Sequence, residues 1–398
     1  MKKTIFFLID GLGDFPINGK TPLSEAKKPN IDYLAENGRI GELTVLTKKE
    51  WNTLSKMSRT SISHFANISI LGYDPKKYKN LKRGPLEAVG ANIPYTNGHL
   101  AFRCNFATVN DNLIVIDRRA GRNSFGLDEL ARYINENLKL KVKFTFMRTF
   151  EHRGVLIFQE NLSDNVSTND PQEIGKKVEK IKALNKKAEK SAKIAQEFVN
   201  KAYSLLKYHL INEERIKKGL LPANYLLLRE AGNKLFSLPS FAEKWKLKPV
   251  CIAENGVVKA TCLLAGFNSI TIPETDFRNT LKFIFDSIEN CLAEYDIIFV
   301  HIKEPDKFAH DKDFKGKERS IEKIDKKLKR FKDFDGNIVI TCDHITSTQT
   351  GKHEQGKVPL LVYGKGKDRV KTFDEISAKK GSLKNFTTKK LWRFLLKD

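Results

Sequence analysis

Three apolar stretches of the chain end in residues able to hold a divalent cation. Asn337 to Thr341 is an uncharged run rich in β-branched residues, introduced by Asp335-Gly336, and it stops just before Asp343-His344. Such a run predicts a short buried strand. Lys2 to Ile9 predicts a second buried strand, ending in Asp10-Gly11, where the glycine permits a sharp turn and a close approach. Tyr295 to Lys303 predicts a third, leading into Asp306 and His310, whose i,i+4 spacing puts them on one side of a helical turn. Ligands of open α/β sheets bind at the carboxyl ends of the strands, and carboxylate oxygen with imidazole nitrogen suits a divalent metal. His353, shortly after His344, can return to the same place. Each motif has a plainer reading by itself: the Asp-His pair as hydrogen-bonded loop residues, Asp10 as the cap of a strand-to-helix turn. Recurrence at three strand ends favours the metal.

Two further groups could act on an anion beside such a metal. Thr53 to Asp74 is dense in hydroxyls just ahead of an apolar helical run that ends at Gly72. A serine at a helix start is either an N-cap or, next to a metal, a nucleophile whose phosphate the helix amides also stabilise. Arg118, Arg119 and Arg122 form a basic cluster, His152-Arg153 precedes the predicted strand Gly154 to Phe158, Arg229 closes a strand that begins after Pro222, and Lys259 lies in an apolar setting. Arginines bunched at strand ends clamp phosphate and carboxylate bidentately. Scattered surface arginines and a snorkelling lysine are the alternatives.

These residues need a scaffold of strands and helices. At 398 residues the chain exceeds the usual single core, so two domains, or one domain with a large insertion, are expected. Strand-helix alternation at both ends gives way after Lys76 to short strands, which marks the insertion. Pro29 opens a helix, Val358 to Gly364 gives another strand, and lysine-rich tracts at Gly175 to Lys193 and Lys315 to Lys332 read as solvated helices. Residues beyond Gly364 are basic and carry no readable signal. The net charge of +23 invites a nucleic-acid partner, but its lysines are spread along the chain without an aromatic-interleaved stripe or recognition module. The charge reads as a solvated surface that draws anionic substrates, and nucleic acid is not the expected partner.

The five cysteines are odd in number, widely spaced and without a C-x-x-C, which argues against a disulfide framework or thiolate zinc site. No apolar run reaches the ~18 residues of a membrane span, and Ile5 to Ile9 is too short for a signal peptide, so a cytoplasmic protein is expected. No Walker or dinucleotide glycine motif implies a nucleotide cofactor.

Together, Ile9-Asp10-Gly11, Pro305-Asp306 with His310-Asp311, Thr341-x-Asp343-His344 and His353 with Val358-Pro359 resemble the metal sites of the alkaline phosphatase superfamily. Gly19-Lys20-Thr21-Pro22-Leu23, Leu71-Gly72-Tyr73-Asp74-Pro75, Gly84-Pro85-Leu86-Glu87-Ala88, Ala101 to Thr108, Asp117-Arg118-Arg119-Ala120-Gly121-Arg122, His152-Arg153 and Ala223-Asn224-Tyr225-Leu226-Leu227 narrow the resemblance. They are similar to the archaeal-type cofactor-independent phosphoglycerate mutases, from Lys3 to about Gly364. The resemblance implies an alkaline-phosphatase-like three-layer α/β/α core, residues 1–75 and 181–398, with a smaller α+β substrate-clamping domain inserted at 76–180. It implies two divalent ions, one held by Asp10, Asp343, His344 and the nucleophile, the other by Asp306, His310 and His353. It further implies interchange of 3-phosphoglycerate and 2-phosphoglycerate through a phosphoserine, without 2,3-bisphosphoglycerate. Arg118, Arg119, Arg122, His152, Arg153, Arg229 and Lys259 would bind the small phosphorylated hydroxy acid. Mixed Asp/His donors favour Mn or Zn over Mg, with Mn first and Co also compatible.

The chain departs from the family at the nucleophile loop. A gap-free reading back from Ile70 puts Ser63 at the nucleophile and makes it a metal ligand, with Ile62 replacing a glycine and His64 an acidic residue. The alternative register places the nucleophile at Thr60. After His344, the family's Ser-Thr-Pro is Ile345-Thr346-Ser347. Two rival readings keep the fold: a metal-dependent phosphohydrolase or mutase for another phosphorylated metabolite, and a catalytically silent basic binding protein. Oligomeric state is not written in the sequence.

Overall fold

The computed structural model describes residues 2–58, 62–78 and 81–396. The chain forms two compact units: Met1–Lys79, Ser237–Glu254 and Thr261–Asp398 make the first, Asn80–Phe236 with Asn255–Ala260 the second.

The first unit is built on an eight-stranded sheet in the order Leu383–Thr387, Gly38–Thr44, Val358–Tyr363, Asn337–Thr341, Thr4–Ile9, Ile297–Ile302, Pro249–Ala253, Asn268–Thr271. The Thr4–Ile9 strand runs parallel to both neighbours, and Val358–Tyr363 runs antiparallel to its own. The central strands are buried at every position, as parallel strands covered on both faces must be. Successive residues of a strand point to opposite faces. Phe6 stacks on Trp392 of the helix Thr388–Leu396, while Phe7 stacks on Phe285 of the helix Phe277–Cys291. Helices therefore cover both faces, and the core is the α/β/α sandwich expected.

The second unit is α+β. His99–Val109 pairs antiparallel with Val115–Asp117, Arg153–Asn161 and Tyr225–Gly232, and Phe144–Phe150 pairs with Arg153–Asn161. Phe198, on the helix Glu189–Leu206, packs its ring against Phe144, Phe146 and Phe158.

Three expectations give way here. The insertion does not end at 180: the strand Tyr225–Gly232 and the helix carrying Phe198 belong to the second unit, because the sheet and its core need them. A helix does not run from Gly175 to Lys193; it begins at Glu189. Upstream, the backbone bonds outward instead, with Val178 N donating to Leu113 O and the amide of Val115 to Lys176 O. Finally, the tract beyond Gly364 is structural. It supplies an edge strand and the helix that buries Trp392 completely.

Candidate active site

The sheet brings the three donor-bearing strand ends side by side. Leu8 is in register with Thr341 and Ile9 with Ile302, and Asp10 N donates to Ile302 O at 2.8 Å. The helix Glu304–His310 starts directly after its strand, opened by Pro305. Gly11 has φ +66°, and a Cβ on it would lie 2.7 Å from Asp306 Cα. What approaches this glycine is thus the other ligand-bearing turn. His353 returns through a two-stranded ribbon in which Thr346 pairs with His353, stacking the His344 and His353 rings at 3.7 Å between centroids.

Six of the seven metal-ligand candidates form two overlapping or adjoining sets. Asp306, His310 and His353 offer donor atoms within 4.8 Å of one another, and so do Asp10, Asp306 and His344. His353 Nε2 is 3.3 Å from Asp306 Oδ1, and His310 Nε2 is 3.4 Å from Asp306 Oδ2. His344 Nε2 stands 3.6 Å from Asp10 Oδ1 and 3.2 Å from Asp343 Oδ2. Asp306 therefore faces both sets, and Asp343 joins through His344. Ser63, the seventh, is the first residue of the helix Ser63–Ile70, and its Oγ lies 3.2 Å from His344 Nε2. Thr60 lies outside the described residues.

Hydrogen bonds on the outer nitrogens aim the imidazoles. His310 Nδ1 donates to Gly351 O at 2.8 Å, which leaves the Nε2 lone pair pointing at His353 Nε2, 3.1 Å away. Thr346 Oγ1 donates to Asp306 Oδ1 at 2.9 Å, so its contact with His344 Nδ1 at 3.1 Å is one it accepts. His344 Nε2 is thereby left as an acceptor facing two carboxylates and a hydroxyl. Lone pairs that converge on one another call for a cation between them.

The charge balance asks for the same. Burial raises all three carboxyls. At Asp10 burial and Asp306 are outweighed by Lys303, His301 and His344, and at Asp306 burial is outweighed by Lys303, His353 and His310, so both stay below the usual range. At Asp343 burial is joined by the charges of Asp10 and Asp306, and the carboxyl is driven well above it. Burial and the neighbouring His353 depress His344 to about 3, keeping it neutral. One ammonium, Lys303 Nζ at 3.0 Å from Asp10 Oδ2 and 3.2 Å from Asp306 Oδ2, faces three acidic groups. Asp10 Oδ1 and Asp343 Oδ1 are buried without a hydrogen-bond partner among the described residues. The donor set fits divalent cations.

The arginines expected to bind substrate lie in the second unit. Burial first, then Arg153, Arg103, Arg122 and Arg229, hold the buried His152 well below its ordinary pKa, so four guanidinium charges crowd one neutral imidazole. The Nε atoms of Arg103, Arg153 and Arg229 are buried without a hydrogen-bond partner among the described residues, although Arg103 Nε lies 3.5 Å from Glu87 Oε1 and Arg229 Nη1 donates to Asp170 Oδ2 at 3.2 Å. Arg118 is committed to Asp170 by a two-pronged bond of 2.9 and 2.7 Å. Arg119 is fixed through its amide, which donates to Asp117 Oδ1, and the fully buried Lys259 donates to Asn255 Oδ1 at 3.2 Å.

Sequence reasoning did not single out His301, Lys303, Thr346 or Arg103. His301 and Lys303 were detectable as polar residues of like orientation ending an apolar strand. His301 Nε2 lies 3.4 Å from Asp10 Oδ2. Thr346 and Arg103 had no such signal, since their roles depend on partners distant in sequence.

With this geometry in view, the likeness to known proteins is specific. Residues 56–212 match the family model of 2,3-bisphosphoglycerate-independent phosphoglycerate mutase. A relative of that name from Methanosphaera stadtmanae is 38% identical over 96% of this chain and 94% of its own. Another, from Archaeoglobus fulgidus, is 40% identical over 95% and 93%. Among solved structures, a cofactor-independent phosphoglycerate mutase from Thermoplasma acidophilum is 31% identical, with a TM-score of 0.61 over 100% of this chain and 99% of that one. A Pyrococcus horikoshii protein superposes with a TM-score of 0.74 at 28% identity over 99% and 96%. The chain belongs to the 2,3-bisphosphoglycerate-independent phosphoglycerate mutase family.

Proposed function

We propose that this chain interconverts 3-phosphoglycerate and 2-phosphoglycerate through a phosphoserine at Ser63, on a site that holds two divalent cations, Mn first among them. The family supports the substrate. The observation that carries the chemistry is the convergence of Asp10, Asp306, Asp343, His310, His344 and His353, with Ser63 Oγ 3.2 Å from His344 Nε2. Asp10, Asp343, His344 and Ser63 would hold one ion and Asp306, His310 and His353 the other. When bound, the ions neutralise phosphate charge and lower the pKa of the attacking hydroxyl.

Ser63 Oγ gives up its proton and forms the new bond to phosphorus as the bond to one glycerate oxygen breaks, and that oxygen takes up a proton. The freed glycerate then offers its other hydroxyl, and the phosphoryl group leaves Ser63 for that oxygen. Helix amides near Ser63 favour the phosphorylated side chain. Arg122, Arg153 and Arg229, with Arg119, His152 and Lys259, supply the grip on phosphate and carboxylate, while Arg118, tied to Asp170, braces the carboxylate that Arg229 shares. Among the described residues no helix is long and apolar enough to cross a membrane, and we place the enzyme in the cytoplasm with the rest of sugar-phosphate metabolism.

The test is an enolase-coupled assay on protein stripped of metal and reloaded in turn with Mn, Zn, Co or Mg. Ser63→Ala should remove at least ~1,000-fold of the activity. Release of inorganic phosphate without 2-phosphoglycerate would instead make the chain a phosphohydrolase. Full activity of Ser63→Ala would displace the nucleophile to another hydroxyl.

A further inference from the structure

Arg215 is an arginine with no exposed surface, on the helix Leu210–Lys217 of the second unit. Its hydrogen bonds all go to backbone carbonyls: Nε to Leu221 O at 2.8 Å, Nη1 to Asn123 O at 3.2 Å and Phe125 O at 2.5 Å, Nη2 to Ala120 O at 2.9 Å. Three of these carbonyls belong to the segment that follows Arg118 and Arg119 and contains Arg122.

That segment is conformationally expensive. Ala120, Gly121 and Arg122 have φ of 46°, 71° and 55°, three consecutive residues in the left-handed region, and only the glycine adopts it without penalty. A backbone held this way persists when its surroundings over-determine it. Two anchors do so. Asp117 Oδ1 accepts from the amides of Arg119 at 2.6 Å and Gly121 at 3.1 Å, and the carbonyls turn inward onto the Arg215 fork. A planar guanidinium with donors in fixed directions can reach several carbonyls at once, which the compact ammonium of lysine cannot do. The charge of Arg122 bears on His152 together with those of Arg103, Arg153 and Arg229, so the position of this loop decides whether Arg122 completes the cationic group.

We propose that Arg215 is a positioning residue for the anion site: its guanidinium clamps the carbonyls of Ala120, Asn123 and Phe125 and so fixes where Arg122 presents its charge to a phosphorylated hydroxy acid. This rests on the reading, given above, that the 118–122 loop binds substrate. Arg215 itself touches no substrate.

The experiment compares four variants of the full chain in the coupled assay with 3-phosphoglycerate: Arg215→Met, Arg215→Lys, Arg122→Met and Phe198→Leu. Phe198→Leu is a destabilised control from the core of the same unit. Circular dichroism and thermal unfolding accompany the kinetics. Arg215→Met should raise KM for 3-phosphoglycerate by ~10- to 100-fold with a much smaller change in kcat, as misplacement of a binding group does. Arg215→Lys should be intermediate and retain the fold. Phe198→Leu should leave KM near the parent value. The positioning role is overturned if Arg122→Met raises KM while both Arg215 variants leave it unchanged, and the substrate reading of the loop then stands. It is also overturned if the Arg215 variants only lose stability, as Phe198→Leu does. If Arg122→Met leaves KM unchanged, the reading of the loop itself falls and the proposal with it.

Discussion

Gly11 is the tightest constraint on the candidate metal site, and Gly11→Ala tests whether that constraint matters. Two costs arise together. At φ +66° an alanine is in the left-handed region, a penalty of about 1–2 kcal/mol. Its Cβ would stand 2.7 Å from Asp306 Cα and 3.0 Å from Asp306 N, about 0.7 Å short of an ordinary contact with the Cα. The nearest atoms are backbone and Cβ, so no flexible side-chain end can yield. The two turns must move apart, and with them Asp10 and Asp306. Metal–ligand distances tolerate only about 0.2 Å, so divalent affinity should fall by ~10- to 100-fold or more. Isothermal titration of chelator-stripped protein with Mn reads that loss, and urea denaturation in chelator reads the strain separately. Two Mn bound at parental affinity, with parental turnover, would refute the claim that this close approach sets the ligand geometry.

Other consequences follow from the same contacts. Asp306→Asn removes the carboxylate that faces both donor sets, so it should abolish binding of the ion assigned to Asp306, His310 and His353, weaken the other ion and abolish turnover; two ions bound at parental affinity would contradict its role. Thr346→Val keeps the shape but removes the bridge from His344 Nδ1 to Asp306 Oδ1, and should weaken metal binding by ~10-fold or more with little loss of fold. Glu375 is half-buried, accepting from Asp14 N at 2.8 Å and Thr21 Oγ1 at 2.6 Å, and desolvation of its carboxyl raises its pKa from 4.5 to about 7. Its contribution to stability is full below its unfolded value and declines as pH rises through about 7, by up to ~3 kcal/mol. Urea denaturation of chelator-treated Glu375→Gln should therefore show a flatter pH profile between 5 and 8 than the parent. An unchanged profile would mean that the carboxyl is already ionised at low pH.

The core and its strand ends were legible because buried parallel strands appear as unbroken apolar runs, so a charged residue at the end of one stands out. Asp10, Asp306 and Asp343-His344 are all of this kind. The extent of the second unit was not legible, because the strand Tyr225–Gly232 belongs with His99–Val109 through pairing alone. Lysines misled twice. Between Gly175 and Lys193 they suggested a helix where the backbone is bonded to neighbouring loops. After Gly364 they obscured Leu391, Trp392 and Leu395, the buried face of a real helix. Arg215 and Thr346 were invisible for a different reason: each acts on groups distant in sequence, and nothing local distinguishes them from surface residues.

The convergence of the donors depends on strand register, and the register is marked at the end of the sheet away from the donors. Sliding one strand by a residue displaces its end by ~3.3 Å, comparable to the 3.6 Å that separates His344 Nε2 from Asp10 Oδ1 on the neighbouring strand end. A slip would therefore dissolve the site while leaving an apolar sheet. Strands buried on both faces have no polar side to oppose such a slip, since apolar residues fit either face. Other contacts must specify the pairing. Asn337 Nδ2 donates to Thr4 Oγ1 at 3.2 Å, both residues being buried at the start of their strands, and Asn337 N donates to Lys3 O at 2.8 Å. On the other side Thr4 N donates to Asp296 O at 2.9 Å. Asn337 Nδ2 and Thr4 Oγ1 meet only in the native alignment, and any other leaves both buried without that bond at a cost in free energy. The pair Thr4 and Asn337, at the opposite end of the strands from Asp10 and Asp343, thus helps set where those carboxylates meet.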